Sequence, residues 1–437
     1  MDASRALVAS TTTAPAHIAT WAFDEYNGPG STATAAQVQE YLSYAEGGIG
    51  NAKAVADCTA TCKTVLYMDP NFVYAGTSCP MGASAALAAD GAEGWYLHEA
   101  GYTDLAHRVH GEYTMSCDGA TITIPVYVLN DYSTLVQSFF RDYLRDNANS
   151  WDYYFMDDTS GEELTQLYGP GGGFCADNPP DHYCTTTQEL PTNATIAYEH
   201  GSFANAMTHT NGSAMQFFYN GVTFSNQAPS DLDVLTSSKN FVGVVCEGCV
   251  VSGNTFNPSM YAEVLNTMAD VNNVSGASFV ELSKGDEASG SAAQIAQRVV
   301  TTAMAWLGYS AGHTIVFPDL EYNTTNLAAW PEDNIVPADP VESMSTGAAN
   351  IEVATGVYRR EFTSCTNAGT TIGRCAAIVN ATGGTVTVLS SWLHESYGHV
   401  ITLYGGDVTH GGEILRTTTF TPNVTTIPAD QGLLISS

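Results

Sequence analysis

Acidic residues close the apolar, β-branched runs of this sequence with a regularity that matters chemically. Asp24 and Glu25 end the run HIATWAFDEY, Asp69 lies in TVLYMDPNFVY, Asp131 ends ITIPVYVLND, and Asp157 and Asp158 end YYFMDD. Glu247 lies in FVGVVCEGCV, Glu281 in ASFVEL, and Asp319 and Glu321 in HTIVFPDLEY. A single Asp after a strand is often only a helix N-cap or a turn residue. Carboxylates gathered at one apolar mouth are different, because burying charges that neither bind nor react is costly. Two such groups in different protonation states can protonate a leaving oxygen and attack the adjoining carbon, or activate water against it. Cleavage of a glycosidic bond is the reaction that such a ring serves most directly.

The elements that must position these groups follow from hydrophobic period. From residue 17 onward short β-branched and aromatic runs alternate with segments of helical periodicity, the pattern of parallel βα units. The runs are His17 to Tyr26, Thr64 to Tyr74, Ile122 to Asp131, Tyr153 to Asp158, Met215 to Val222, Phe241 to Val250, Ala277 to Leu282 and His313 to Tyr322. Helices are expected near Leu105 to Val109, over Tyr132 to Arg145 and over Ala292 to Leu307. Eight units predict a (β/α)₈ TIM barrel whose catalytic groups sit where strands end. Beyond residue 345 short strands are separated by Gly, Asn and Thr turns with no helix between them, which predicts a small all-β antiparallel sandwich. The resulting division is an N-terminal extension over 1–16, a catalytic barrel over 17–344 and a β-sandwich over 345–437, and the 437 residues suit it.

Lys and Arg number 13 against 45 Asp and Glu, a formal net charge of −32. Such a surface repels phosphate backbones and anionic lipid, so nucleic acid is excluded as a partner and a strongly anionic polymer is a poor substrate. Ten cysteines fall into five close pairs, read as disulfides of an oxidising compartment: Cys58 with Cys62, Cys79 with Cys117, Cys175 with Cys184, Cys246 with Cys249, and Cys365 with Cys375. A zinc or redox role for Cys246-Glu-Gly-Cys249 would need a second Cys/His pair, which is lacking. Asn-X-Ser/Thr acceptors occur at Asn193, Asn211, Asn273, Asn323, Asn380 and Asn423. No apolar run reaches the roughly 20 residues of a membrane span, and the N-terminus shows no apolar signal region, as a trimmed secreted form would.

Other chemistries find weaker footing. Gly171-Gly172-Gly173 lacks the Lys-Ser/Thr of a phosphate loop, and no Gly-X-Ser-X-Gly elbow occurs. His107 and His110 would share a helix face at i,i+3, yet His98 belongs to another segment, so a polar substrate contact from His98 is favoured over a metal site. No cofactor is expected. Asp24 and Asp69 are candidates to hold sugar hydroxyls, with Asn220, Glu281 and Asp319 beside them. Trp21, Trp95, Tyr26, Tyr74, Tyr154 and Tyr219 are candidates to stack on sugar faces, although aromatics near strands more often belong to a core.

The run Tyr153-Tyr-Phe-Met-Asp-Asp158 resembles the fourth-strand motif of barrel glycoside hydrolases, in particular the α-galactosidase-type clan and related hypothetical glycosyl-hydrolase families. The resemblance implies a nucleophile after strand four, an acid/base after strand six and a C-terminal β-sandwich. Asp157 then matches the nucleophile and Glu247 the acid/base, with Asp158 the alternative to Asp157. The large β-glycosidase clan implies another placement, with the fourth-strand acid as proton donor and Glu281 as nucleophile. Two further readings stay open: a non-catalytic carbohydrate-binding or surface protein on a barrel scaffold, and a barrel hydrolase whose acidic rim holds a divalent metal.

Overall fold

A computed structural model describes residues 19–24, 47–50, 63–68, 72–74, 93–96, 108, 110–117, 120–129, 133–147, 151–157, 201–220, 235–252, 255–284, 291–318, 330–405 and 412–437. Eight strands form a closed parallel ring. They are β1 (Ala19–Asp24), β2 (Gly47–Gly50), β3 (Lys63–Met68), β4 (Tyr153–Met156), β5 (Phe217–Asn220), β6 (Phe241–Ser252), β7 (Ser278–Lys284) and β8 (Thr314–Pro318). Each pairs in parallel with the next, β5 pairs with β6, and β8 returns to β1, so the sheet has no free edge. That closure is the defining property of a (β/α)₈ barrel.

Seven of the eight expected runs supply barrel strands, and one does not. The run Ile122 to Asp131 belongs instead to Ala120–Val128, the middle strand of a three-stranded antiparallel sheet with Phe72–Tyr74 and His110–Cys117. Pro125, level with Glu112, lies within it. Phe72–Tyr74 pairs only with Val126 to Val128, so at Pro125 the described ladder lies on one side alone, where a missing N–H is tolerated. The missing barrel strand is Gly47–Gly50, with the sequence GGIG, too short and too glycine-rich to register as a strand. The helix face expected to carry His107 and His110 is not formed, because His110 opens the strand His110–Cys117.

Period-two alternation sorts the barrel side chains into two layers. Tyr154, Met156, Phe217, Tyr219 and Val244 join the core under the helices, together with Phe140 of α1 (Thr134–Asn147) and Phe203. Tyr153 and Phe218, of the opposite parity, meet edge to face at 5.8 Å. Asp157, Asn220 and Glu247 share the parity of Tyr153, Phe218 and Val245, and so extend that second layer.

Of two further helices, α2 (Tyr261–Asn272) packs against β6 and β7, and α3 (Ala292–Gly308) against β6 and β8. The start of α3 is fixed by a capping box, with Ser291 Oγ accepting from Gln294 N and the Gln294 side chain accepting from Ser291 N. Every residue of α3 from Val300 to Gly308 is buried, because this half of the helix lies between the barrel and a seven-stranded antiparallel sheet.

The main path of that sheet runs β9 (Ile335–Pro340), β10 (Val357–Asn367), β11 (Thr370–Asn380), β14 (Gly432–Ser436), β12 (His399–Tyr404) and β13 (Glu413–Thr419). It begins at Ile335. One face, with Phe362, Cys375, Ala377, Val379 and Leu434, packs into the core of α3, where Trp306 meets Phe362 at 6.4 Å. The other face, with Val357, Ala376, Ile378, Leu433 and Ile435, packs with Val388 and Ile427 around the two-stranded ribbon Val386–Thr387/Thr426–Ile427. Hence the strands are apolar on both sides.

Buried arginines join helix and sheet. Arg298 forms a bidentate pair with Glu332 at 2.6 Å on both oxygens, donates to Gly405 O at 3.0 Å and lies 4.2 Å from the Trp330 ring centroid. Arg360 donates from one nitrogen to Leu307 O and Tyr309 O, the carbonyls ending α3. Burial depresses its guanidinium to about 10 against a partial opposing effect of Glu342.

Candidate functional site at the barrel mouth

Three neighbouring strands deliver three polar side chains to one point. Asp157 follows β4 directly, and its backbone N–H donates to Met68 O at 2.9 Å, which prolongs the β3–β4 ladder up to the carboxylate. Asn220 is the last residue of β5, level with Val245 of β6. Glu247 sits two residues further along β6. The Asn220 amide nitrogen donates to Asp157 Oδ1 at 2.7 Å and to Glu247 Oε2 at 2.5 Å. The two acceptor oxygens therefore lie no further apart than the sum of those lengths, 5.2 Å. Asn220 itself is 4% exposed, while both carboxylates keep partial access to solvent.

The local structure of β6 is unusual at Glu247. β6 runs from Glu247 to Ser252 while β7 advances only from Leu282 to Lys284, a pronounced bulge. Bulges re-aim side chains and gather near functional sites. Gly248 adopts φ +65°, a conformation that favours glycine. A disulfide joins Cys246 to Cys249 across this turn. Ring floor and outer core are aromatic: burial, aided by Asp152, pushes the Tyr153 hydroxyl up to about 12, and burial also raises Tyr154 and Tyr219.

Of the other sequence candidates, three aromatic residues take positions in the core. Tyr154 does not face a ligand: it is fully buried and stacks on Phe217 at 5.3 Å, as does Tyr219 on Phe241 at 5.9 Å, because both have the outward parity. Trp95 packs on Phe139 at 5.0 Å. Glu281 is level with Cys246 and Val316, whereas the residue level with Glu247 is Leu282. Trp21 and Asp24 lie on β1, level with Gly47 and Gly50. Asp158, Asp69, His98, Asp319, Glu25, Asp131, Glu321, Tyr26 and His107 lie outside the described residues. Of the expected bridges, that between Cys365 and Cys375 is formed, as is that between Cys246 and Cys249. Cys58 and its expected partner Cys62, Cys175 and its expected partner Cys184, and Cys79, expected to join Cys117, lie outside the described residues.

One polar cluster had no sequence signal. Glu342, Glu361 and His394 present ligand atoms within 4.8 Å of one another, the one such group among the described residues. The Arg359 guanidinium already bonds both carboxylates and His394 Nδ1, so the protein's own cation fills the place a metal would take. Tyr397 adds a donor to Glu361 at 2.8 Å. This is a buried ion network in the antiparallel sheet, remote in the chain from the barrel carboxylates.

No family model matches the chain, and no curated protein does. Among solved structures it is similar to an alpha-amylase from Geobacillus thermoleovorans in complex with acarbose, at 10% identity and TM-score 0.38, over 97% of this chain and 98% of that one. A GH36 alpha-galactosidase from Geobacillus stearothermophilus in complex with stachyose is matched at 10% identity and TM-score 0.38, over 96% of this chain and 55% of that one. A pyruvate kinase from Cryptosporidium parvum is matched at 10% identity and TM-score 0.34, over 73% and 67%. At such scores these likenesses decide neither fold nor activity. Strand pairing within this chain defines the class: a closed parallel barrel joined to an antiparallel sheet, with one carboxylate directly after β4 and another at the bulge in β6.

Proposed function

We propose that the protein is a secreted glycoside hydrolase acting on a neutral polysaccharide or oligosaccharide through Asp157 and Glu247. The observation that carries this reading is the single amide of Asn220 shared by the two carboxylates. Carboxyl separations of about 5 to 5.5 Å accompany double displacement with retention, and about 6.5 to 9.5 Å direct displacement with inversion. The 5.2 Å ceiling between the bonded oxygens supports retention. Glu247 donates its proton to the glycosidic oxygen as that bond breaks, and an Asp157 carboxylate oxygen bonds to the anomeric carbon. Glu247 then takes a proton from water, which displaces Asp157 and restores both groups. No cofactor enters these steps.

The net charge of −32 supports a neutral substrate. Disulfides at Cys246–Cys249 and Cys365–Cys375 support an oxidising compartment, consistent with secretion. The test is hydrolysis of a panel of neutral polysaccharides with reducing-end detection, the product anomer being read by NMR. Asp157→Asn and Glu247→Gln are expected to lower kcat about 10²- to 10⁴-fold without loss of fold. Full activity in both folded variants sinks the assignment. Binding of a polysaccharide without cleavage by the unmodified protein identifies a non-catalytic carbohydrate-binding protein instead.

A further inference from the structure

The two described disulfides differ in what a thiol meets and in what the backbone does without them. Cys365 and Cys375 are both 0% exposed, on adjacent strands whose ladder pairs Phe362 with Cys375 and Cys365 with Gly373. The ladder shifts register on both sides of Cys365, but it resumes at Thr366 with Thr371, and Cys375 is also paired with Ser436 on its other side, so strands flank this bridge. Cys246 is 1% exposed, whereas Cys249 is partly exposed at the edge of the core, so Cys249 is the more accessible end of this bridge. Between them stand only Glu247 and Gly248. The β6–β7 ladder pairs Glu247 with Leu282 and next pairs Ser252 with Lys284, so the covalent bridge spans a stretch where the ladder is interrupted.

We propose that Cys249 is a site of reversible thiol–disulfide exchange with low-molecular-weight thiols, and that opening the bridge loosens the backbone bearing Glu247. The consequence for activity rests on the role assigned to Glu247 above; the exchange itself does not. A thiolate attacks Cys249 Sγ, the Cys246–Cys249 bond breaks, and its electron pair leaves on Cys246 Sγ, which takes a proton. A second thiolate attacks the incoming sulfur of the mixed disulfide and releases Cys249. Two external thiols are thereby oxidised to their disulfide, and the protein gains two thiols. Burial of Cys246 disfavours its thiolate, so opening needs excess thiol, and it reverses when the oxidised, disulfide form of that thiol is in excess and takes up the two electrons.

The test uses the native, full-length protein with reduced glutathione as probe, trapping by N-ethylmaleimide and peptide mass mapping. A glutathione adduct is expected on Cys249, with maleimide on Cys246, forming at least about tenfold faster than any label on Cys365 or Cys375. Equal rates at the two bridges, or an adduct on Cys246 in place of Cys249, overturns the site. Hydrogen exchange of the opened protein is expected to rise at residues 246–249 while β4 and β5 keep their protection; unchanged exchange there overturns the loosening. On the polysaccharide panel the opened protein should lose activity and regain it on reoxidation. Full hydrolysis with the bridge open and Glu247→Gln inactive removes the coupling alone. Full hydrolysis by Glu247→Gln removes the role of Glu247 and leaves the exchange site to stand on the mass map.

Discussion

Asn220 shows how much one side chain decides at the barrel mouth. Its amide nitrogen has two protons, and both face carboxylate oxygens, at 2.7 and 2.5 Å. Turning the amide over would place its oxygen against two anionic acceptors, so the network fixes the orientation. In the proposed mechanism a nitrogen committed in this way positions the reacting pair rather than gripping sugar. Asn220→Ala is expected to lower kcat about 10- to 100-fold with KM little changed, since a misplaced catalytic group costs rate more than binding. Steady-state kinetics on a cleaved substrate check this. A rise in KM at unchanged kcat would mark Asn220 as a sugar contact.

At the scale of elements, α3 is the pivot of the molecule. Its backbone is set by the Ser291 capping box, its one side by the barrel, and its other by the antiparallel sheet. Arg298 ties that arrangement to Glu332 inside the protein. Removing one partner of such a pair leaves an uncompensated buried charge, so Arg298→Ala is expected to cost about 3 to 5 kcal/mol. Replacing both residues, Arg298→Met with Glu332→Leu, should recover most of that loss. Urea unfolding of the three proteins measures the difference, and equal stability of wild type and Arg298→Ala refutes it. Within β6, a Cβ on Gly243 would collide with Ser278 O and the Phe218 ring. Gly243→Ala should therefore destabilise the barrel by about 1 to 3 kcal/mol in the same assay.

Over the whole molecule, buried tyrosines set the alkaline limit. Tyr153 is raised to about 12, and Tyr154, Tyr219 and Tyr397 are raised as well, in each case chiefly by burial. A folded-state value above the unfolded value of about 10 favours folding fully below pH 10 and progressively loses that contribution as the pH climbs. Growing negative charge on a chain already at −32 acts in the same direction. Unfolding between about pH 10 and 12 is expected, with tyrosinate absorbance appearing in the same cooperative step as loss of circular dichroism. Smooth tyrosine titration ahead of any unfolding would show that these hydroxyls reach solvent in the folded state.

The sequence by itself determined the period of its strands and helices, and hence seven of eight barrel strands, the antiparallel C-terminal sheet and the short-range bridges of Cys246 with Cys249 and of Cys365 with Cys375. These are local properties: alternation, capping and spacing act within about a dozen residues. It placed Asp157 and Glu247 at strand ends but could not separate ITIPVYVLND from a barrel strand, because alternation reads alike in parallel and antiparallel sheets. It passed over GGIG, whose place in the ring comes from its neighbours rather than its own propensity. Only the tertiary structure decided that Asp157, Asn220 and Glu247, far apart along the chain, meet at one nitrogen atom, that Tyr154 turns outward into the core, and that Arg359 fills the cluster of Glu342, Glu361 and His394. Each of those outcomes depends on ring closure and register, which are fixed by the packing of the whole fold and by no single segment of it.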